Sequence, residues 1–342
     1  MTPPPDQPRA QQPLDALICG HLHHAEWTLG GVFRFDHHLH TLSSFLATYY
    51  PPRAVQQVAG APPCAWTLDP RGELGTPLSM PRYLGVLQSF SESGIGVVLV
   101  FDNPAPPAET LEDAYAHSLV RHLMEPQNNS TGRNAVCVAN DALAAHLRAA
   151  YPKLPIICHP HRLIADTVKR TPQFYAGLEA RYSRIILHPR DAVTPAVFTR
   201  LSHPERSMAV VNDPAPRNSP TRRDELHVLA ELHRRPWDGA LRRSLERMRQ
   251  LEVRTIENTC NLTRQEEAAL YEAGIRSFVV QSRSFRNEIT LLHDLFYHLL
   301  RTEPEHSNKA ALITSAGMAH LRPMENGMPS GLEIFNTADE PL

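Results

Sequence analysis

The sequence is short of several features that mark large classes of protein. It has no apolar run near the roughly 18 residues that a membrane-spanning helix needs, which excludes a membrane-spanning protein. Its 34 lysine and arginine residues are balanced by 36 acidic residues, and the net charge of -2 gives no basic excess to neutralise a phosphate backbone. We therefore expect neither a membrane nor a nucleic acid among the partners of this chain.

Cysteine and glycine are also scarce. The five cysteines are odd in number, widely spaced and without a Cys-x-x-Cys pair, which argues against a zinc ribbon or a redox motif. The N-terminus has no positively charged segment followed by an apolar one, so we expect a cytoplasmic protein with reduced thiols. The patterns G-x-G-x-x-G, G-K-[ST] and G-x-S-x-G are missing, which argues against glycine-rich nucleotide loops and a nucleophilic serine elbow.

Proline, in contrast, is abundant, with 31 residues, and it separates short β-branched runs from helical patterns. Each run ends in polar residues, and the runs cover residues 32–36, 97–103, 135–140, 156–160, 185–189, 209–213, 253–258 and 278–281. Runs that are apolar on both faces are typical of parallel strands covered by helices. The alternation predicts one (β/α)8-like barrel of the TIM type over residues 14–320, with a disordered proline-rich tail at 1–13 and a loose tail at 321–342.

Three predicted helix starts have recognisable capping chemistry. Asn140 precedes a helical pattern as an N-cap, and Thr194 precedes Pro195 at the position where proline is favoured. Thr263 and Glu266 have the spacing of a capping box. These patterns support the predicted alternation of strands and helices.

In a barrel of this type the loops after the strands form the functional mouth, so polar residues at predicted strand ends are the candidate site. Asp213 and Glu257 are the candidate acid and base, because carboxylates in a partly desolvated mouth can be tuned towards neutral pH. Arginines in and after the proline-rich loop would grip an anionic group. The candidate substrate-binding residues are Asn212, Arg217, Arg222, Arg223, Gln281, Asp102 and Asn140. For any single member the alternative is a cap or a solvated start of the next helix.

A histidine-rich segment indicates a second kind of site. Residues 35–44 read FDHHLHTLSS and resemble the first metal motif of the polymerase-and-histidinol-phosphatase hydrolases. If this segment is a strand, His38 and His40 face the same side and can share a zinc, manganese or iron ion with His159 and His188 at later strand ends. The strand that should supply that family's next histidine ends in Asp102 instead. The alternative is that these histidines lie on a helix surface or in loops.

Six blocks along residues 35–300 resemble the collagenase-like peptidase family in their order and spacing: PPCAWTLDPRG, SGIGVVLVFDNP, AVCVANDALAAHLRAAYPKLPII, RYSRIILHPRD, HPERSMAVVNDPAPRNSPTRRDELH and LYEAGIRSFVVQSRS. The resemblance implies a TIM-type barrel, and the better-understood relatives are oxygen-independent hydroxylases with an iron–sulfur cluster held by four cysteines. This chain departs from that pattern, because Ala215 and Ser219 follow Asn212 where relatives carry cysteines. We therefore expect no iron–sulfur cluster, since a cluster needs thiolate ligands.

Three functions are compatible with these patterns. The leading one is a cytoplasmic barrel enzyme of specialised metabolism that acts at the mouth on a small polar or peptide-like substrate, without an iron–sulfur cluster. The second is a metal-dependent hydrolase or lyase that uses the four histidines. The third is a non-catalytic binding subunit that kept the barrel after losing the cluster. Fold alone does not decide among these three functions. Each of them is compatible with a homo-oligomer or a partner protein.

Overall fold

Eight parallel strands close into a barrel in the computed structural model of the chain, which describes residues 22, 24–49, 55–68, 78–251, 259–281, 294, 298 and 299. Helices alternate with the strands, so the predicted (β/α)8 barrel of the TIM type is confirmed. The barrel strands are β1 Glu26–Gly30, β2 Val55–Gly60, β3 Gly96–Phe101, β4 Ala135–Val138, β5 Ile156–Cys158, β6 Arg184–Ile186, β7 Ser207–Val210 and β10 Ser277–Val280. Strand β1 closes the barrel, because Thr28 pairs with Gln57 of β2 on one side and with Val279 of β10 on the other.

Prolines explain how many of the helices begin. The helices are α1 Val32–Tyr49, α2 Met80–Glu92, α3 Ala114–Met124, α4 Asp141–Ala150, α5 Pro160–Ala165, α6 Pro172–Glu179, α7 Pro189–Ala192, α8 Pro195–Phe198, α9 Arg222–Arg234, α10 Gly239–Leu251 and α11 Arg264–Glu272. Proline is the first residue of α5, α6, α7 and α8, where its missing N–H costs no helical hydrogen bond. No helix in the described part of the chain is both long and apolar enough to cross a membrane.

Strand side chains alternate between two apolar layers, as the pleat of a strand requires. The outward-facing side chains, such as Trp27, Leu29 and Phe278, pack under the helices in the larger core. Inward-facing side chains such as Val98, Ile157 and others form a smaller cluster inside the barrel. The inner layer therefore consists of small and medium aliphatic groups rather than aromatic rings.

Polar side chains fill the N-terminal end of the barrel interior. Arg184 on β6 pairs with Glu26 on β1 at 2.8 Å, and Ser277 on β10 donates to the same carboxylate at 3.2 Å. Beside them, Gln57 on β2 donates to the Arg133 carbonyl at 2.6 Å. Polar contacts therefore link β1, β2, β6 and β10 at this end of the barrel.

An insertion lies between the last two barrel strands. Strands β8 Asn212–Pro216 and β9 Thr259–Asn261 form an antiparallel pair in which Asp213 lies opposite Cys260. Helices α9 and α10 lie between these strands in the sequence, and Leu226 and Ala230 of α9 share an apolar cluster with Ile164 of α5. Because β8 starts two residues after β7 ends, the insertion begins at the mouth.

Six of the eight predicted strands are confirmed, and so are the side-chain caps at Asn140 and Thr263. Pro195 is the first residue of α8 as predicted, but the side chain of Thr194 before it makes no cap hydrogen bond. The prediction of a strand at 32–36 is wrong, because these residues begin α1. Val32, Phe35 and Leu39 are buried at a helical spacing. Strands β1 and β2 were not predicted, and residues 253–258 and both predicted tails lie outside the described residues.

Candidate functional site

A cavity of about 760 Å³ occupies the C-terminal end of the barrel interior. Its wall consists of inward-facing strand residues, and its roof consists of α9, α10 and the turn between them. The apolar lining is Ala59, Ala61, Leu68, Val98, Val100, Cys137, Pro160, Ile157, Ile186, Met208, Val210, Leu229, Leu232, Pro236, Trp237 and Val279. The polar lining is Thr28, Asp102, His159, His233, Arg242, Arg249 and Gln281.

The space exists because one side of the barrel has small residues facing inwards. Barrels of this type are normally filled by layers of bulky branched side chains. Here β1 contributes Thr28 and Gly30, and β2 and the residue after it contribute Ala59 and Ala61. These positions leave room for a ligand beside the larger aliphatic groups of β3 to β7.

His159 is a fixed hydrogen-bond donor at the end of β5. Its Nδ1 accepts the backbone N–H of His161 at 3.1 Å and so caps α5, whose first residue is Pro160. Since Nδ1 is the acceptor, Nε2 carries the proton in the neutral ring. Burial, together with the nearby His161 and Arg222, lowers the pKa of His159 well below its usual value, so the ring stays neutral. The ring lines the cavity in its neutral form.

His188 repeats this arrangement at the end of β6. Its Nδ1 accepts the N–H of Arg190 at 3.1 Å, again across a proline at the first helical position. Burial, then the positive charges of Arg170 and Arg222, lower the pKa of His188 to about 2. A histidine ligand needs a lone pair on one nitrogen and a proton on the other, and the caps use the lone pairs of His159 and His188. Neither ring is therefore arranged to bind a metal.

The other two predicted ligands lie elsewhere. His38 and His40 are on helix α1, so the premise that they share one face of a strand is wrong, because residues two apart on a helix point in different directions. His40 Nε2 lies 2.8 Å from the Ser93 hydroxyl beyond α2, and the His38 ring packs against Phe35. The predicted four-histidine metal site is therefore not assembled.

Asp102 lies at the end of β3 and lines the cavity with 2% of its surface exposed. Its Oδ1 accepts the backbone N–H of Leu68 at 2.7 Å, and its Oδ2 is 4.0 Å from Nδ1 of His161. His161 Nδ1 donates to the backbone carbonyl of Asp102 at 2.9 Å. Burial and Arg222 lower the pKa of His161 to about 3. His161 is therefore neutral at neutral pH when it makes this hydrogen bond to Asp102. Asp102 and His159 are the carboxylate and the donor that the structure brings to one cavity.

Arg222 and Asp213 pair with each other beneath α9. The guanidinium donates to the Asp213 carboxylate and lies 3.7 Å from the Cys260 sulfur, while the second carboxylate oxygen accepts the N–H of Ala215 at 3.0 Å. Burial disfavours the charged Arg222, but Asp213 and Cys260 raise its pKa. Burial and Asp213 also raise the pKa of Cys260 to about 11, so the thiol is protonated at neutral pH. The predicted acid and anion-binding residues thus form a buried ion pair that joins β8, β9 and α9.

The remaining predicted arginines have other surroundings. Arg217 makes a bidentate pair with Glu266 at 2.7 and 3.0 Å, and it also donates to the carbonyls of Thr259 and Asn261. The anion that Arg217 grips is therefore a side chain of the same protein. Arg223 is exposed on the first turn of α9. The structure does not bring Arg217, Arg222 and Arg223 together on one ligand.

Amides at the strand ends mainly satisfy backbone groups. Asn140 caps α4 by accepting the N–H of Leu143 at 2.9 Å. Asn212 accepts the N–H of Gln281 at 2.7 Å and so joins the end of β10 to β8, while the Gln281 side chain also lines the cavity. Glu257 lies outside the described residues.

The described cysteines do not fit an iron–sulfur cluster. Cys64, Cys137, Cys158 and Cys260 are all buried and come from separate elements around the barrel. Within the described residues, the groups of His, Cys, Asp and Glu with converging ligand atoms include none of these sulfurs. The four described sulfurs are therefore not arranged as the ligands of one iron–sulfur cluster.

Sequence reasoning missed His161 and the roof of the cavity. The pattern His-Pro-His after a strand signals a proline-started helix with a histidine cap, and it recurs as His-Pro-Arg after β6. Helices α9 and α10 were not recognised as a cover because their sequences look like ordinary amphipathic helices of a barrel.

Comparisons with known proteins agree with the barrel. No protein-family model matches the sequence, and no curated protein matches it either. Among solved structures, the U32 peptidase Mk0906 is similar with a TM-score of 0.51 and 14% identity over 75% of this chain and 92% of that chain. At this identity the similarity shows the fold alone. The neighbour comes from the family that the sequence blocks resemble, which supports that resemblance only at the level of the fold.

Proposed function

We propose that this chain is a barrel enzyme that encloses a small organic molecule at its C-terminal mouth and acts on an oxygen-bearing group beside Asp102 and His159. The observation that carries the proposal is the cavity of about 760 Å³, which holds a buried carboxylate and a neutral histidine in a mostly aliphatic barrel wall, under a roof that adds His233, Arg242 and Arg249. Enclosed apolar pockets with a few convergent polar groups are the usual form of small-molecule sites. The C-terminal face is also where enzymes of this fold carry out their chemistry.

The lining limits the class of substrate. Most of the wall is aliphatic, so an apolar body of the substrate would lie among the inward-facing side chains of β3 to β7. A carbonyl, amide or ester oxygen would face His159, and an acidic C–H or N–H of the substrate would face Asp102. This refines the expectation of a small polar or peptide-like substrate, because a fully polar molecule would leave the aliphatic wall without apolar contacts.

The two polar residues would have complementary roles. His159 donates Nε2–H to the substrate oxygen, where negative charge develops, and a donor that is oriented before the reaction stabilises this charge without reorganisation. Asp102 takes a proton from the substrate and returns it later in the cycle. His161 positions Asp102 through the hydrogen bond to its backbone carbonyl. The proposal keeps the expected setting, a cytoplasmic enzyme of specialised metabolism without an iron–sulfur cluster.

Depletion of compounds from a defined mixture tests the proposal. Purified protein is incubated with a library of small amides, esters and carbonyl compounds, and mass spectrometry follows which compounds disappear. We expect the wild type to convert at least one compound with an apolar body, and Asp102→Asn to bind it with turnover reduced at least about 100-fold.

Two results would contradict the assignment. Equal turnover by wild type and Asp102→Asn would remove Asp102 from the chemistry. A compound that both proteins bind and neither converts would identify a non-catalytic binding protein, which is the alternative function.

A further inference from the structure

A second group of potential ligands lies outside the barrel, between the 3-10 helix Ala108–Glu112 and helices α3 and α4. One ligand atom from each of Glu112, His117 and His146 lies within 4.8 Å of the other two. His117 Nε2 is 3.1 Å from His146 Nε2, and Glu112 Oε1 is 3.7 Å from His146 Nδ1. In the part of the chain that the structure describes, no other group of three histidine, cysteine or acidic residues converges in this way.

Both ring nitrogens of His117 have defined partners. His117 Nε2 donates to the carbonyl oxygen of Leu111 at 3.0 Å in the absence of an ion, and the same nitrogen lies beside Nε2 of His146. Tyr151 is placed to hold the other side of the ring, because its oxygen is 2.9 Å from His117 Nδ1 and donates to the His117 carbonyl at 3.2 Å. When an ion displaces the Nε2 proton, the ring can keep its proton on Nδ1 and donate it to the tyrosine oxygen, while the tyrosine proton stays on the His117 carbonyl. Metal-bound histidines are normally oriented by such a hydrogen bond from the second nitrogen.

Neighbouring aromatic side chains hold the group in place without an ion. Trp66 is fully buried, its indole N–H donates to the Thr110 carbonyl at 2.6 Å, and its ring meets that of His117 edge-on at 5.1 Å. The Tyr151 ring lies 5.8 Å from His117 on another side. Trp66 therefore positions Thr110 and His117 before any ligand binds, whereas the exposed Glu112 side chain is left to be held by an ion.

We infer that Glu112, His117 and His146 bind a divalent transition-metal ion, with zinc as the best match. Two imidazole nitrogens and one carboxylate suit zinc, whereas calcium and magnesium prefer oxygen ligands throughout. Ligands about 2.0–2.1 Å from a tetrahedral zinc lie about 3.3 Å apart, close to the separation of 3.1 Å between the two histidine nitrogens. The exposed Glu112 side chain can move to complete the site, and water or the Leu111 carbonyl supplies the fourth ligand.

The ion would fasten a long loop of the barrel. Residues 102–113 connect β3 to α3, and this loop starts at Asp102 and carries Glu112. Binding Glu112 to His117 and His146 fixes the loop against α3 and α4. The role is structural and independent of the chemistry proposed at the mouth.

A zinc titration of the full chain tests this inference. The protein is stripped with a chelator, desalted and titrated with zinc chloride against a chromophoric chelator, with cobalt absorption as a second reading of tetrahedral coordination. We expect one tight equivalent in the wild type and binding at least about tenfold weaker in His146→Ala and Glu112→Gln. His122→Ala is the matched control, because His122 lies on the same helix α3 but pairs with Glu125. The double variant His38→Ala, His40→Ala controls for the histidine-rich segment, and both controls should bind as the wild type does.

Three results of the zinc titration would contradict the inferred site. If the wild type takes up no zinc in the titration, or if both cluster variants bind as tightly as the wild type, the inference is overturned. Loss of binding in the double variant at positions 38 and 40 would also overturn it. Circular dichroism of each stripped variant confirms folding, and the exposed Glu112→Gln variant keeps the test valid if His146→Ala does not fold.

Discussion

Replacing Arg222 with methionine tests how the cover of the cavity is attached. The substitution keeps much of the apolar stem and removes the guanidinium that pairs with Asp213. The side chains of Arg222 and Asp213 are 17% and 7% exposed, so solvent screens the pair only weakly. Removing one partner of a buried pair leaves an uncompensated charge, which costs about 3–5 kcal/mol. For a chain of this size we expect Tm to fall by roughly 4–7 °C.

Urea unfolding provides the measurement, and Arg223→Met is the matched control. Arg223 is the next residue on the same helical turn and is exposed, so its loss should change the free energy of unfolding by less than about 0.5 kcal/mol. Adding Asp213→Asn to Arg222→Met removes the stranded charge and should recover at least about 1 kcal/mol. The reasoning would be refuted if Arg222→Met and Arg223→Met lowered the free energy of unfolding equally. It would also be refuted if the double variant were less stable than Arg222→Met.

Three further predictions concern a cap, a buried histidine and the cavity. Thr263→Ala removes the capping box with Glu266 and should lower the free energy of unfolding by about 1 kcal/mol in urea; no loss would contradict the assigned cap. His188 has a folded pKa of about 2, so below about pH 6.5 the unfolded chain binds a proton that the folded chain does not. Stability should therefore fall as the pH drops below about 6.5, and His188→Asn should reduce that slope by up to about 1.4 kcal/mol per pH unit in urea titrations; an unchanged slope would contradict the assignment. Ala59→Leu should fill part of the cavity and abolish binding of the converted compound in calorimetry, while unaltered affinity would place that compound elsewhere.

The barrel was predictable from the sequence because its strands are short apolar runs that end in polar residues. The error at the first strand has a local cause. The residues VFRF at 32–35 form a short apolar run like that of a strand, but Gly31, with φ of 91°, turns the chain after β1 into helix α1. The burial of Val32, Phe35 and Leu39 fits this helix, which has a kink at Phe35.

The site was predictable only in part, because side-chain partners far apart in the sequence cannot be seen in a local pattern. Arg217 forms an ion pair with Glu266, 49 residues further along, and Asn212 accepts a hydrogen bond from the backbone N–H of Gln281, 69 residues away. The position of Asp102 at a strand end was predicted from the barrel rule. The tautomer of His159 could not be predicted from the sequence, because it depends on the hydrogen bond by which His159 caps the folded helix.

Turnover by two histidine variants tests the account of the mouth most directly. Asn can keep each helix cap, with its side-chain oxygen in place of Nδ1, while it removes the Nε2–H donor. His159 lines the cavity, and His188 has the same capping geometry without belonging to the described lining. With a compound converted by the wild type, His159→Asn should lower kcat/KM by about 100-fold or more, and His188→Asn should stay within a few-fold of the wild type. Equal kcat/KM values for the two variants would contradict an active site at this cavity.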